Sequence, residues 1–288
     1  MSLPAFFVSY HGSIGTALDA LVPADTPAPR PVVDAMRYTL LAPSKRVRAV
    51  LAMLAAELYG GSALAVPAAC AVECVHAASL MLDDLPSMDN AVLRRGRPAA
   101  HVVYGEAITV LAAFGLLNLA YGHVAGTYPP DLAARISARL AGAVGLDGLV
   151  AGQAEDVLAT DQSISFESLE RIHRRKTGVL FEAAATSGAL TAGAASADLA
   201  ALSAYAKNLG LAFQIVDDLL DVTGTPEQTG KAIQHDARKT TFVSFSGVDG
   251  ARALAGELCE TAIAALSAFG GRASRLIDLA RFVAARTS

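Results

Sequence analysis

The chain has 288 residues, of which 53% are hydrophobic and 17% charged, and its formal net charge is −4 at pH 7. Such a balance supplies ample core material and excludes a disordered chain. It also gives no basic field with which to hold nucleic acid. Cys70, Cys74 and Cys259 are an odd number, and no basic segment precedes Pro4-Ala5-Phe6-Phe7-Val8 as a secretion signal would require, so a reducing cytoplasm is expected.

Residues 1–29, with Gly12, Gly15, Pro23, Pro27 and Pro29, read as a loosely structured arm with one short helix near 14–21. From Pro31 the pattern is helical almost without relief, with helices expected near 31–41, 45–59, 64–85, 105–126, 130–158, 166–193, 197–222 and 249–286, the last broken at Gly270-Gly271. Gly60-Gly61 closes one helix and Pro129-Pro130 opens another. Alternating β-branched runs are missing, so strands should be rare or absent. No linker divides the middle. The expectation is one all-α domain over 1–288, a single large helical bundle around a central cavity. Two stretches, 62–82 and 107–125, approach the length of a membrane span, but each is interrupted by polar residues (Glu73 and His76, Asn118 and His123). Both are read as helices buried on most faces, with no integral membrane span. Cys70 and Cys74 share a helix face without the partners that a zinc site needs.

Chemistry concentrates at the ends of apolar helices. Lys45, Arg46 and Arg48 sit at the N-terminal end of the 45–59 helix, where the dipole prefers anions. They form either a solvated basic turn or a site whose bound anion compensates both charges and helix end. His76, Ser79 and Asp83 share one face of the next helix. Adjacent Asp83 and Asp84 cannot be buried as anions without a counter-charge. Pro86 ends the helix, so the chain should loop and bring Asp89 back toward them. A basic run, Leu93-Arg94-Arg95-Gly96-Arg97-Pro98, follows. It reads either as a local salt-bridge network or as arginines that take phosphate oxygens. Later come Gly152-Gln153-Ala154-Glu155-Asp156 and a basic stretch ending in Lys176-Thr177-Gly178, where Gly178 marks a local distortion that turns Thr177 inward.

A second acidic cluster, Asp217, Asp218 and Asp221, converges on one helix face with Gln214 one turn earlier. No basic residue lies within that turn. A hard divalent cation is the natural compensation, and magnesium favours a few carboxylates together with waters and phosphate oxygens. Downstream, Gly230-Lys231 and Asp236-Ala237-Arg238-Lys239-Thr240-Thr241-Phe242 form a basic loop read as a lid over anions. Two acidic clusters and several basic groups in an apolar bundle indicate diphosphates carrying apolar tails. Nucleotide-binding glycine motifs are absent.

In this order the motifs D-D-x-x-x-x-D (Asp83, Asp84, Asp89), L-R-R-G-R-P (93–98), G-Q-x-x-D (152–156), K-T-G (176–178), F-Q-x-x-D-D-x-x-D (213–221) and G-K…D-x-x-K-x-T (230–240) resemble the trans-isoprenyl diphosphate synthases, and among them the bacterial geranylgeranyl diphosphate synthases of carotenoid pathways. The resemblance implies the isoprenoid synthase fold, a homodimer, and a cluster of three magnesium ions bound by Asp83, Asp84, Asp89, Asp217 and Asp218, with Asp221 in support. Arg94, Lys176 and Lys231 would grip the allylic diphosphate. Lys45, Arg48, His76 and Arg95 would hold isopentenyl diphosphate, and Thr177 and Gln214 would shelter an allylic cation. The chain departs from the family pattern at Pro43-Ser44 (usually two glycines), at Asn90 (often acidic) and at Ala113-Phe114 (usually Gly-Asp). Small residues at Ala78 and Ser79, about one turn before Asp83, leave room for a chain longer than farnesyl, so geranylgeranyl diphosphate is the expected product and farnesyl or another length the alternative. Other classes are a class I terpene cyclase, which normally lacks the second acidic motif, and a catalytically silent partner subunit, which usually loses acidic ligands.

Overall fold

The computed structural model describes residues 5–223 and 239–286; Lys231 and the rest of the expected lid between 224 and 238 lie outside the described residues. In chain order the helices are α1 (Ala5–Leu21), α2 (Arg30–Leu40), α3 (Val47–Glu57), α4 (Val66–Asp83), α5 (Ala100–Tyr104), α6 (Glu106–Thr127), α7 (Pro130–Val144), α8 (Leu149–Leu158), α9 (Phe166–His173), α10 (Val179–Thr191), α11 (Ser196–Thr223), α12 (Phe242–Ala265) and α13 (Ser274–Ala284). Short 3₁₀ turns cover Ser62–Ala65 and Ser267–Ala273, and a π-helical turn covers Arg174–Gly178. Among the described residues the strands are β1 (Leu93–Arg94) and β2 (Arg97–Pro98), a minimal antiparallel hairpin. Its Arg95 and Gly96 both have positive φ (55° and 72°), as a tight two-residue reversal requires.

The middle of the bundle is made of α3, α4, α10 and α11. In α3 every residue from Ala49 to Ala56 is buried, and α10 is buried from Ala183 to Thr191. A helix that is apolar all round needs neighbours on all sides, and the abundant alanines let those neighbours come close. The tightest approach is at Gly188, where an added Cβ would lie 2.0 Å from the Ala52 carbonyl oxygen. Similarly, α6 packs on α4 through Thr109, Ala112, Ala113, Leu116 and Ala120.

Several expectations need correction. The N-terminal arm carries a 17-residue helix, α1, whose Phe7, Tyr10, Ile14 and Leu18 form one apolar face docked on the core. Phe7 lies 5.4 Å from the ring of Phe282 at the other end of the chain. Alternating polar residues around the two glycines hid this stripe. The helix expected over 130–158 is two, because a turn at Gly145–Gly148 interrupts it, where a Cβ on Gly148 would lie 2.2 Å from the Ala143 carbonyl oxygen. The helix expected over 105–126 is preceded by α5, with Gly105 (φ 79°) as the joint. The last helix begins at Phe242 and breaks as expected near Gly270, which has φ 56°. Of the two span-length helices expected to be buried on most faces, Ser62–Asp83 is, with 67% of its most apolar stretch buried, whereas Glu106–Thr127 is not, with 33% buried and Leu111 and Phe114 exposed. By length and composition Ser196–Thr223 joins these two as a third helix long enough to cross a bilayer.

The contact at Gly188 gives a direct test of this packing. Gly188→Ala should destabilise the protein by about 1–3 kcal/mol in urea denaturation, because α3 and α10 must move apart. Gly256→Ala, whose Cβ would meet nothing within 4 Å, should be neutral or stabilise by up to about 1 kcal/mol.

Candidate active site

The first acidic motif closes α4. Asp83 is its last residue, Asp84 its C-cap, and the following turn runs back so that the Asp89 amide donates to the Asp83 carbonyl at 3.0 Å. The return of Asp89 expected from Pro86 is therefore present. The three carboxylates have different surroundings. Asp84 is 3% exposed and is gripped by the Arg94 guanidinium from the hairpin, with Nε 2.9 Å from Oδ1 and Nη2 also on that oxygen. Burial works against the Arg94 charge, but the hydrogen-bonded Asp84 carboxylate prevails and raises its pKa. Asp83 accepts from Lys176 Nζ at 3.1 Å, and Asp89 from Lys239 Nζ at 2.6 Å.

Both lysines meet on Asp156, which ends the G-Q-x-x-D segment on α8. Its Oδ2 lies 2.7 Å from each ammonium. Burial pushes the Asp156 carboxyl up, yet Lys176 and Lys239 together hold it at about 2. One buried carboxylate thus fixes two cations, and each of these reaches a different aspartate of the first motif.

Lys176 and Thr177 stand in the π-helical turn Arg174–Gly178, the distortion that Gly178 foretold. Consecutive residues there serve opposite walls. Lys176 bonds the first motif, whereas the Thr177 hydroxyl donates to Gln214 Oε1 at 3.0 Å on α11. The turn is wedged between two glycines: a Cβ on Gly152 would lie 2.5 Å from the Lys176 nitrogen, and one on Gly210 would lie 2.9 Å from the Gly178 Cα. These bridges connect the two acidic motifs through one turn.

On α11 the three carboxylates diverge more than their spacing suggested. Asp217 is 41% exposed on its side chain and pairs with Arg286 at 3.0 Å. Asp218 is 4% exposed; Gln214 Nε2 donates to its Oδ1 at 3.0 Å and the Phe242 amide to its Oδ2 at 3.1 Å. Asp221 is partly buried. Asp84 and Asp218, both expected as metal ligands, accept from protein donors here and are less exposed than Asp217. Sequence spacing does not encode this burial.

The groups expected to hold a second anion line the neighbouring wall. Arg48 Nη1 is 3.3 Å from His76 Nε2, and its guanidinium lies 4.8 Å from the centroid of the Phe181 ring. Burial lowers Arg48 and Arg95 to about 10 each, and it lowers Lys45 to about 8 with help from nearby Arg286, against the pull of Asp217. Burial, followed by the charges of Arg48 and Arg95, keeps His76 neutral. A cluster of cations pushed below their ordinary values is arranged to receive anionic oxygens. Ala78 is fully buried in the core, whereas Ser79 keeps some exposed surface and donates its hydroxyl to the His76 carbonyl at 2.8 Å. Of these two, only Ser79 keeps accessible surface.

Sequence reasoning missed several participants. Arg286 follows α13 and stacks 4.3 Å from the Phe213 ring centroid while pairing with Asp217. No motif marks a lone arginine so far downstream. Lys239 was read only as part of a lid, and Asp156 only as a motif letter. His173 packs against Phe242 at 5.3 Å and so links the π-turn to the start of α12. Burial holds its imidazole down at about 4.

A magnesium ion fits the donor chemistry of Asp83, Asp89 and Asp217. All three are hard oxygen donors, and each is balanced by one lysine or arginine. Among the described residues no three potential ligands are already gathered around one point, so an ion here would complete its shell with ligand phosphate and water oxygens.

Known proteins resemble this chain in sequence and fold. The sequence model of the polyprenyl synthetase family matches residues 29–253. The chain is 43% identical over 285 residues to geranylgeranyl pyrophosphate synthase 9 of Arabidopsis thaliana, covering 95% of this chain and 79% of that one. It is 42% identical over 264 residues to the geranylgeranyl diphosphate synthase of Cyanophora paradoxa, covering 89% and 88%. Among solved structures, an FPP/GFPP synthase from Zymomonas mobilis superposes with a TM-score of 0.86 at 33% identity over 97% of each chain.

Asp156→Asn should leave Lys176 and Lys239 facing each other with no buried anion between them, and cost about 2–4 kcal/mol in urea denaturation at pH 7. Because the folded carboxyl lies below its ordinary 3.8, near 2, its stabilisation is fully present above pH 4 and is lost as pH falls toward 2. Urea titrations across this window should show the gap between wild type and variant closing.

Proposed function

This chain belongs to the polyprenyl synthetase family, and from that premise we propose that it condenses isopentenyl diphosphate head to tail with an allylic diphosphate, releasing geranylgeranyl diphosphate. It is a prenyltransferase with the all-α isoprenoid synthase fold. The observation that carries the reading is the pair of bridges from one turn, Lys176 to Asp83 and Thr177 to Gln214, which make two acidic motifs into walls of a single site.

The chemistry follows from what each wall can do. The allylic diphosphate enters between the motifs, where Lys176, Lys239 and Arg94 present cations and Asp156 sets the angle of both lysines. Magnesium held by Asp83, Asp89 and Asp217 would neutralise the diphosphate and make it a better leaving group. Asp84 and Asp218 brace the motifs, and Asp221 supports the second. As the carbon–oxygen bond breaks, the Thr177 hydroxyl oxygen and the Gln214 amide offer dipoles to the allylic cation. Isopentenyl diphosphate, held by Lys45, Arg48, His76 and Arg95, supplies the double bond that attacks it. The departing diphosphate then accepts the proton lost from the new chain. The alanine- and leucine-rich walls exclude water, which would convert the cation to an alcohol. His76, uncharged, contributes as a hydrogen-bond partner rather than a cation.

A homodimer is part of the proposal. Along α6 the residues Ala107, Leu111, Phe114, Asn118, Tyr121 and Ala125 alternate at spacings of four and three, and Leu111 and Phe114 are 55% and 64% exposed. Such a seam is suited to a second copy of the same helix. A cytoplasmic location is also proposed, and it is supported by three cysteines that are unpaired and buried. Lys231 is retained as an allylic diphosphate contact by family resemblance alone.

The test is elongation by the purified chain. Given magnesium, isopentenyl diphosphate and a farnesyl, geranyl or dimethylallyl primer, it should accumulate geranylgeranyl diphosphate, sized by chromatography. Release of hydrocarbon, or no turnover, would overturn the reading, and a farnesyl end product would overturn the assigned length. Ser79→Phe should shorten the product, because Ser79, about one turn before Asp83, keeps accessible surface whereas Ala78 is fully buried.

A further inference from the structure

Glu73 is a buried charge that the mechanism does not use. Its side chain is 2% exposed, on α4, three residues before His76 and on the same helix face. One carboxylate oxygen accepts from Arg46 Nη1 at 2.9 Å, and the other accepts from the Ala49 amide, near the N-terminus of α3, at 3.3 Å. Arg46 is itself 8% exposed on its side chain. Its Nη2 donates to the carbonyls of Leu40, where α2 ends, and of Ala42, the latter at 3.1 Å. One ion pair therefore ties the end of α2 and the start of α3 to α4.

The backbone shows what the tie enforces. Arg46 has φ 51° and ψ 35°, the left-handed region, at the position preceding α3. A non-glycine residue there is strained and stays only if its surroundings compel it. Lys45 precedes this reversal and Arg48 follows it by two residues, so the directions of both cations depend on it. Pro43, three residues before Arg46, fixes one backbone angle on the approach to this turn. His11 on α1 contacts the Ser44 carbonyl at 2.7 Å and holds the loop from its other side.

We propose that Glu73, through Arg46, is the positioning residue for the isopentenyl diphosphate pocket: it holds the left-handed turn that aims Lys45 and Arg48. The pocket's ligand rests on the function proposed above. The inference competes with a simpler effect. Glu73 lies among Arg46, Arg48 and Arg95, and by charge alone its removal would strengthen the positive field and tighten diphosphate binding. Positioning predicts the opposite sign, since charged hydrogen bonds to a diphosphate need donors within about 3 Å. Once the tie is cut, a strained turn relaxes away from that geometry.

Steady-state kinetics of Glu73→Gln, with each substrate varied in turn, separates the two. Positioning predicts a KM for isopentenyl diphosphate raised about ten-fold or more, an allylic KM within about two-fold, and kcat at saturation within about three-fold. An isopentenyl KM that is unchanged or lower overturns the proposal, as does an equal rise in both KM values. If Glu73→Gln does not fold, judged by circular dichroism, Arg46→Met/Glu73→Gln removes both buried charges together, and such replacements are often tolerated. The same KM rise is expected there, and a wild-type KM would overturn the proposal. Calorimetric titration with inorganic pyrophosphate, without metal, reads the turn independently of turnover. The variants should bind at least about ten-fold more weakly than wild type, and equal affinity overturns the positioning claim. A wild-type chain that binds pyrophosphate but does not elongate contradicts the function proposed above, while the pyrophosphate comparison still decides the role of Glu73.

Discussion

Concentrated carboxylate charge inside an apolar bundle is the constraint to which the rest of the structure answers. Five of the aspartates that face or support the cavity have named donors: Arg94 for Asp84, Lys176 for Asp83, Lys239 for Asp89, Arg286 for Asp217, and Gln214 with the Phe242 amide for Asp218. These aspartates divide by burial. Asp84 and Asp218 are held by a two-nitrogen fork, or by a backbone amide together with a short side chain, in places with almost no solvent. Asp83, Asp89 and Asp217 are less buried, and each meets a single cation, from Lys176, Lys239 and Arg286 respectively. Carboxylates of the first kind fix the shape of a site, whereas those of the second can exchange one cation for another. Asp83, Asp89 and Asp217 are accordingly the aspartates proposed to meet an incoming magnesium diphosphate.

Asp156 and the π-turn turn this electrostatic requirement into geometry. Burying one carboxylate between two ammonium groups is favourable only when the distances are short, and at 2.7 Å to each the pairing overrides burial and depresses the acid. The π-turn needs a tight seat, which Gly152 and Gly210 supply by admitting neighbouring backbone where a methyl group would collide. The glycine of the G-Q-x-x-D segment and its aspartate therefore serve one end: the first lets α8 approach Lys176, and the second binds the ammonium that arrives there. Strain at Arg46 plays the corresponding part on the wall of Lys45 and Arg48.

Much of this was legible in the sequence, where physical chemistry acts locally. Helices of the central bundle follow from apolar runs, the return of Asp89 from Pro86, and the distortion at Thr177 from Gly178. What escaped depended on partners far along the chain. Helix α1 was hidden because its stripe of Phe7, Tyr10, Ile14 and Leu18 is diluted by glycines and only becomes stable against α3, α4 and α13. The different fates of Asp217 and Asp218 cannot be read from helical spacing, since one faces the cavity and its neighbour is turned toward Phe242, 24 residues onward. Arg286 carried no signal at all, being one arginine among many until α13 brings it to Asp217. The outward apolar face of α6 was misread for a related reason: composition identifies apolar helices but not which of their faces lack a neighbour within the same chain.

The central claim is that the two acidic motifs act as one clamp. It is tested most directly by calorimetric titration of magnesium pyrophosphate into the wild type, Asp83→Asn, Asp217→Asn and the double variant. If the motifs share one ligand, either single change should remove most of the magnesium-dependent affinity and the double variant should lose little more, giving a large coupling energy in the double-mutant cycle. Losses that simply add in free energy, as for two independent sites, would contradict the account.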